Sequence, residues 1–205
     1  MKIKICGLTN KEDALDAVSL GAEAVGFIFY KDSPRYISPE KVEEISLFLP
    51  PFVFLVGVFV NQSKEEIDSI AHRCKLDLIQ LHGDESPEFC RSMRRRVIKA
   101  FRVSEPEDLD PIVYYQGMIS AILLDTKAQN IMGGSGKTFD WGLALRAKEY
   151  EIPLILAGGI NAGNIKKAAQ LVNPYALDLS SGVERSPGLK DYNKMQEILR
   201  VAQTL

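Results

Sequence analysis

The stretch Ile122–Trp141 holds the largest concentration of residues that could do chemistry. A short apolar run ends on Asp125, and a polar loop with the glycine-rich segment 133–136 then leads to a predicted helix start at Asp140. A carboxylate at the end of a buried strand can act as acid or base, and glycines before a helix N-terminus let backbone N–H groups approach a phosphate closely. We interpret the stretch as strand, phosphate loop and helix, with an ordinary surface loop as the alternative.

The string GSGKT in this loop is similar to the end of a Walker A motif. That motif needs a glycine five residues before Gly136, and Ile131 occupies the position. The sequence therefore disfavours a nucleotide P-loop.

Composition excludes several classes of function. A formal net charge of −2 offers no general attraction to nucleic acid or to an anionic membrane, and we interpret the arginines at 91 and 94–96 as a solvated helix end. Cys6, Cys74 and Cys90 form no CxxC pair and the chain has only two histidines, so a zinc cluster is not expected. The odd cysteine count without a signal peptide predicts a cytoplasmic protein. No apolar run approaches the roughly 18 residues of a membrane span.

A strand, a loop and a helix recur along the whole chain. Helix starts are indicated by capping boxes beginning at Thr9, Ser63 and Ser104 and by Ser-Pro pairs at 38–39 and 86–87, and a final helix is predicted from Asp191 to Ala202. Pro111 predicts that the fifth helix is short or irregular. The predicted strands are Lys2–Cys6, Ala24–Phe29, Val53–Val60, Leu76–Leu81, Val97–Phe101, Ser120–Leu124, Ile152–Ala157 and Ala176–Ser180.

Eight such units predict the fold. Their apolar strands are of the kind that parallel sheets bury on both faces, which favours a single (β/α)8 TIM barrel over residues 1–205. A doubly wound sheet, the alternative, usually has fewer strands and a GxGxxG fingerprint, which is absent here. A hydrophobic content of 46% is enough to fill the core of one such domain.

In this fold the loops that follow the strands share one face, so residues distant in sequence meet there. The loops after strands 7 and 8 are the usual phosphate site, and both are rich in small residues here, which predicts a phosphorylated small molecule as the ligand. Each polar residue also has a structural interpretation; Asp178, for example, could make a hydrogen bond inside the barrel instead of contacting a ligand. The candidate site residues are Cys6, Arg35, His82, Asp125, Gly134, Gly158, Gly159, Asp178, Ser181 and Gly182.

Seven motifs together resemble one family, phosphoribosylanthranilate isomerase of tryptophan biosynthesis. They are KICGLTN, GFIFYKDSPRYIS, VGVFVN, QLHG, LLDTKAQNIMGGSGKTFDW, AGGI and DLSSGVERSPGLKD, and they span the chain from end to end. The resemblance implies a (β/α)8 barrel that uses no cofactor. It also implies conversion of N-(5-phosphoribosyl)anthranilate to 1-(2-carboxyphenylamino)-1-deoxyribulose 5-phosphate by an Amadori rearrangement.

The resemblance also implies roles for individual residues. The general base corresponds to Cys6, the general acid to Asp125, and the residue that faces the anthranilate carboxylate to Arg35. His82 matches a position near the substrate without a defined role, and the phosphate-binding amides correspond to Gly134, Gly159, Ser181 and Gly182. Cys6 would act as a thiolate if helix N-termini and nearby cations lower its pKa from about 8.5.

Two other functions remain alternatives. The histidine-pathway phosphoribosyl isomerase performs the same rearrangement, but it normally pairs two aspartates, and Cys6 stands at the first of those positions. A barrel that binds a phosphorylated metabolite without catalysis is the second.

The segment Leu49–Phe52 bears on association. It joins the second helix to the third strand on the face opposite the site, where an exposed Phe52 could pack into a second subunit. We predict a homodimer, with Phe52 folded against its own barrel as the alternative.

Overall fold

The computed structural model describes residues 1–126 and 140–205, and its strands and helices alternate along the chain. The strands are β1 (Lys2–Cys6), β2 (Ala24–Ile28), β3 (Phe54–Phe59), β4 (Leu78–Leu81), β5 (Arg96–Val103), β6 (Ala121–Thr126), β7 (Leu154–Leu156), β8 (Ala176–Leu179), β9 (Glu184–Ser186) and β10 (Leu189–Lys190). The α-helices are α1 (Lys11–Ser19), α2 (Pro39–Ser46), α3 (Lys64–Arg73), α4 (Pro87–Ser92), α5 (Trp141–Ala147), α6 (Ile165–Val172) and α7 (Tyr192–Ala202). Stretches of 3₁₀ helix cover Pro106–Tyr115, Lys148–Tyr150 and Ser181–Val183.

Strands β1 to β8 form one closed parallel barrel in chain order. The ring closes where β8 pairs with β1, with Ala176 opposite Lys2 and Leu179 opposite Ile5. This confirms the predicted (β/α)8 fold. The antiparallel pair of β9 and β10 follows β8 and was not predicted from the sequence.

Alternation along the strands divides the core into two layers. On β1, Ile3 and Ile5 belong to the apolar layer between the strands and the helices, whereas Lys4 lies on the opposite face and reaches across the barrel to Gln80 on β4. Apolar side chains fill the barrel interior at Val56, Ile98, Ala100, Ala121, Leu123, Ile155, Ala157 and Ala176.

Three predicted helix starts are confirmed. The hydroxyls of Ser38, Ser63 and Ser86 each accept a hydrogen bond from the N–H three residues on, which satisfies one of the free donors in the first turn. Pro39 and Pro87 follow in the first turn, where a missing N–H costs nothing. None of the helices within the two described ranges is long and apolar enough to span a membrane.

Two predicted capping boxes were wrong by one residue. Asn10 caps α1 by accepting from the Asp13 N–H at 2.8 Å, while the Thr9 hydroxyl donates to the Gly188 carbonyl in the turn between β9 and β10. In the fifth helical segment, Asp108 rather than Glu107 accepts from the N–H groups of residues 104 and 105. That segment is a 3₁₀ helix containing Pro111, which confirms the predicted irregularity.

Candidate active site

Five of the predicted site residues line one cleft at the C-terminal mouth of the barrel. They arrive from separate elements, because parallel strands in a barrel all end on the same side. The five are Cys6, Arg35, His82, Asp125 and Asp178. The cleft is completed by Ile28, Tyr30, Ser33, Val58, Val60, Gln80 and Ser180.

Cys6 ends β1 and is only 5% exposed. Gly26 on β2 makes room for it, since a Cβ at position 26 would lie 2.8 Å from the Cys6 Sγ. Burial raises the pKa of the Cys6 thiol above its usual value, and the nearby ammonium groups of Lys4 and Lys190 offset this only in part. The cations therefore do not bring the pKa of Cys6 below its usual value, which was the condition set for a thiolate, because burial outweighs them.

Asp125 lies within β6, and β7 and β8 separate that strand from β1 in the ring. Its Oδ1 accepts a hydrogen bond from the Thr126 N–H at 2.8 Å, while its Oδ2 lies 3.5 Å from Nε2 of His82. The carboxylate is thus held by one oxygen, and the other faces the cleft side occupied by His82.

Asp178 on β8 makes the structural contact considered from the sequence and also lines the cleft. Its Oδ1 lies 3.0 Å from Nζ of Lys4, and both side chains are buried. Burial opposes the charge of Lys4, yet the neighbouring Asp178 and Cys6 leave the pKa of Lys4 raised. Sequence reasoning missed Lys4 and Gln80. Lys4 stands two residues before Cys6 on β1, and Gln80 stands two residues before His82, which directly follows β4, so each pair shares a face.

Arg35 occupies the loop after β2 and is paired inside the protein. Its Nε and Nη2 donate to the two carboxylate oxygens of Glu184 at 2.8 and 2.7 Å. Glu184 also accepts from Lys190 Nζ at 2.9 Å, and these hydrogen bonds overcome the effect of burial and keep the pKa of Glu184 below its usual value. Lys190 in turn donates to the Cys6 carbonyl at 2.6 Å. This network ties the loops after β1, β2 and β8 together, and sequence reasoning did not find Glu184 or Lys190.

A second cleft adjoins the first and contains the predicted phosphate residues of the loops after β7 and β8. Gly158, Gly159, Ser181 and Gly182 line it, and Asp125, Asp178 and Ser180 line both clefts. The two clefts therefore form one continuous site. Gly134, the remaining predicted phosphate residue, lies outside the described residues.

The second cleft presents backbone donors. Within residues 1–126 and 140–205, the N–H groups of Gly159, Ser181 and Gly182 have no hydrogen-bond acceptor. Gly182 packs so closely on the preceding loop that a Cβ there would lie 1.9 Å from the Ile160 carbonyl oxygen. Free N–H groups on closely packed small residues are a typical anion-binding arrangement.

The class of protein follows from these features together. A thiol and a carboxylic acid in the mouth of a closed (β/α)8 barrel, beside a cleft with free backbone donors, is the arrangement of an enzyme that handles a phosphorylated small molecule. No group of three metal-ligating side chains occurs in the part of the chain that the structure describes.

Comparison with known proteins identifies the family. The family described as N-(5'-phosphoribosyl)anthranilate (PRA) isomerase matches residues 3–201. A relative of that name from Geobacter metallireducens is 51% identical over 203 residues, covering 99% of each chain. The chain belongs to the N-(5'-phosphoribosyl)anthranilate isomerase family, and it catalyses this isomerisation in tryptophan biosynthesis.

Two solved structures cover this chain and their own chains completely, each with a TM-score of 0.90. One, 43% identical, shows monomers of the dimeric phosphoribosylanthranilate isomerase from Thermotoga maritima. The other, 45% identical, is a phosphoribosyl anthranilate isomerase in complex with reduced 1-(o-carboxyphenylamino)-1-deoxyribulose 5-phosphate.

Proposed function

We propose that Asp125 is the general acid and Cys6 the general base of this isomerisation. The observation that carries the proposal is their shared cleft, which they enter from strands separated by β7 and β8. A sugar bound between them would meet the acid on one side and the base on the other. The variants described in the Discussion test the two roles separately.

The chemistry proceeds in balanced steps. Asp125 gives its proton to the furanose ring oxygen, the bond from C1 to that oxygen breaks, and the anthranilate nitrogen supplies the electron pair that forms a protonated Schiff base. The Cys6 thiolate then removes the C2 proton, and the electrons of that bond form C1=C2 as the nitrogen becomes neutral. The resulting enolamine becomes the ketone when the O2 proton is lost and C1 gains one.

We infer that the two ends of the substrate occupy the two clefts. Backbone N–H groups of Gly158, Gly159, Ser181 and Gly182, with Gly134 as a further member, bind the phosphate. Arg35 binds the anthranilate carboxylate: a guanidinium has five N–H donors, and Glu184 uses two of them. His82 and Asp178 lie between these ends and contact the ribose portion.

Arg35→Met should weaken binding of anthranilate-bearing ligands by about 10- to 100-fold, because a hydrogen-bonded carboxylate loses its charged partner. Binding of ribose 5-phosphate, which has no such carboxylate, should change little. Gly159→Asp should instead weaken binding of both a reduced product analogue and ribose 5-phosphate, because it places a carboxylate beside the phosphate that both ligands carry. Inhibition constants of these two ligands measure the effects of both substitutions.

Gly159→Asn is the matched control for the charge. Gly159 has a φ of 67°, and asparagine and aspartate tolerate that backbone region about equally, so the two variants differ mainly in charge. If Asn weakens phosphate binding as much as Asp does, the effect is steric and the anion site is not supported. Equal losses of both ligands in Arg35→Met would remove the carboxylate role.

We also propose a homodimer formed through the barrel face opposite the site. Leu47, Phe48, Phe52 and Phe54 all keep 45% or more of their surface exposed there, and Phe52 is 95% exposed. Exposed apolar patches of this kind mark interaction sites. A related enzyme described as dimeric supports the proposal.

Light scattering at micromolar concentration should give twice the chain mass of 22.8 kDa, and Phe52→Asp should give that mass itself, because a carboxylate cannot be buried unpaired. Tyr114→Asp is the control, since Tyr114 is 70% exposed on the 3₁₀ helix that flanks the barrel. A wild-type chain that elutes at the single-chain mass would end the proposal.

We propose that residues 1–205 act as one catalytic domain in the cytoplasm. The strands of the closed sheet run from Lys2 to Leu179, and α7 packs against α1 and β1, which favours one folding unit. The free thiols of all three cysteines suit a reducing compartment. One cooperative unfolding transition and recovery in the cytoplasmic cell fraction are the expected results; two transitions or another fraction would contradict them.

A further inference from the structure

A chain of side chains crosses the barrel interior from β1 to β6. Lys4 Nζ donates to Gln80 Oε1 at 2.8 Å, and Gln80 Nε2 lies 3.1 Å from Nδ1 of His82. The other nitrogen of the His82 imidazole, Nε2, lies 3.5 Å from Oδ2 of Asp125 on β6. The lysine and the glutamine are buried, so water does not compete for these contacts.

The direction of each hydrogen bond in this chain is determined by chemistry. An ammonium group only donates, so the Gln80 atom that faces Lys4 is the carbonyl oxygen, and the amide NH₂ faces His82. An NH₂ group also only donates, so Nδ1 of His82 must present its lone pair. The proton of the neutral imidazole is therefore on Nε2.

That Nε2–H is buried, and it has no hydrogen-bond partner among the described residues. The atom that faces it is Asp125 Oδ2, since the Thr126 N–H already occupies Oδ1. A small movement of His82 towards Asp125 would shorten this distance of 3.5 Å to that of a hydrogen bond. Hydrogen bonds to a charged carboxylate are stronger than those between neutral groups.

We propose that Lys4 and Gln80 are positioning residues that hold His82 in its Nε2–H tautomer, so that Nε2–H stabilises the Asp125 carboxylate left after proton delivery. The inference rests on the proposed role of Asp125 as general acid. It gives His82, for which the sequence indicated no defined role, the function of assisting ring opening. Lys4 thus acts on the acid through two intervening side chains, although it lies beside the base.

Nitrogen NMR of the ¹⁵N-histidine-labelled protein tests the tautomer without any turnover. The chain has two histidines, and His72→Gln on α3 identifies the signals of the other. His82 in the wild type should show a protonated Nε2 and an unprotonated Nδ1. Gln80→Met removes the donor and should give a mixture of tautomers, whereas Gln196→Met, the same change on the exposed face of α7, should change nothing. A wild-type signal with the proton on Nδ1 would overturn the proposal, as would an unchanged tautomer in Gln80→Met.

Two variants of His82 test what the donor does. A glutamine amide can place an N–H near the position of Nε2, whereas the shorter asparagine cannot. His82→Asn should lower kcat by about 10- to 100-fold, the effect of losing one hydrogen bond to a charged group, with little change in KM. His82→Gln should retain most of kcat.

Substrate deuterated at C2 supplies a readout that a merely structural role would not change. Slower ring opening in His82→Asn should suppress the isotope effect on C2 proton removal. Wild-type kcat in His82→Asn, or equal losses in both variants, would contradict the inference. Failure of Asp125 as the acid would instead appear as full turnover in Asp125→Asn, with the tautomer spectrum unaffected.

Discussion

Replacement of Cys6 by serine is expected to lower turnover by about 10²- to 10⁴-fold, the usual contribution of a positioned acid or base. The hydroxyl is nearly isosteric with the thiol, but it is scarcely ionised near neutral pH and cannot remove the C2 proton. Cys6→Ala should therefore be almost equally slow, and KM should change far less than kcat. Steady-state kinetics with substrate protonated or deuterated at C2 measure both effects, and proton removal should become fully limiting in these variants.

The pH profile connects this loss to the thiol. A general base works in its deprotonated form, and burial raises the pKa of Cys6, so wild-type turnover should rise with pH into the alkaline range. Loss of the rising limb in Cys6→Ser would assign that limb to the thiol.

The other two cysteines provide the controls. Burial raises the pKa of both Cys74 and Cys90 to about 11, and both are buried in the apolar layer behind the strands. Cys6, in contrast, lines the cleft, so iodoacetamide should inactivate the enzyme at Cys6, with product protecting, and a Cys74→Ala, Cys90→Ala variant should retain its turnover. Near wild-type turnover in a variant without any cysteine would show that Cys6 is not the base.

The fold could be predicted well because each strand and helix is indicated by residues within or next to it in the sequence. The serine caps of α2, α3 and α4 depend on a few neighbouring residues, and the barrel follows from repeating them with buried strands. Thr9 was wrongly predicted as a cap because local sequence patterns do not show contacts with residues distant in the chain. Its hydroxyl is bound to Gly188, which is 179 positions away, and Asn10 caps α1 instead.

The candidate site was predictable in outline, but its internal pairing was not. Period-two spacing could have placed Lys4 beside Cys6 and Gln80 beside His82, although it gives no partner for either. The pairing of Arg35 with Glu184 joins residues 149 positions apart, through loops whose course no local signal describes. The same limit applies to the pKa of Cys6, since the sequence could name cations as a condition for a thiolate but could not give the extent of burial that outweighs them.

The barrel interior also links the proposed acid to the proposed base through Lys4. Lys4 contacts the Asp178 carboxylate and acts on Cys6, while its contact with Gln80 leads to His82 and Asp125. One buried ammonium is thus shared between the two ends of the reaction. Exchanging Lys4 should therefore affect both ends, whereas exchanging His82 should affect ring opening alone.

Asp125→Asn should lower turnover by about 10²- to 10⁴-fold, because the amide keeps the shape and a hydrogen bond but cannot deliver a proton to the ring oxygen. Ring opening then becomes limiting, so the C2 isotope effect should be suppressed, the opposite of the result expected for Cys6→Ser. Affinity for a reduced, open-chain product analogue should be nearly unchanged, since that ligand needs no proton from the enzyme.

The matched control for Asp125→Asn is Asp84→Asn, which makes the same change on a carboxylate that is 81% exposed beside Arg102. It should leave turnover within about twofold, as expected for a surface substitution worth less than about 0.5 kcal/mol. Opposite isotope effects in the Cys6 and Asp125 variants would separate base from acid by the step that each one slows. If Asp125→Asn instead kept the wild-type rate, or showed the full isotope effect of Cys6→Ser, Asp125 would not open the ring. The proton on the ring oxygen would then have to come from another group that lines the same cleft.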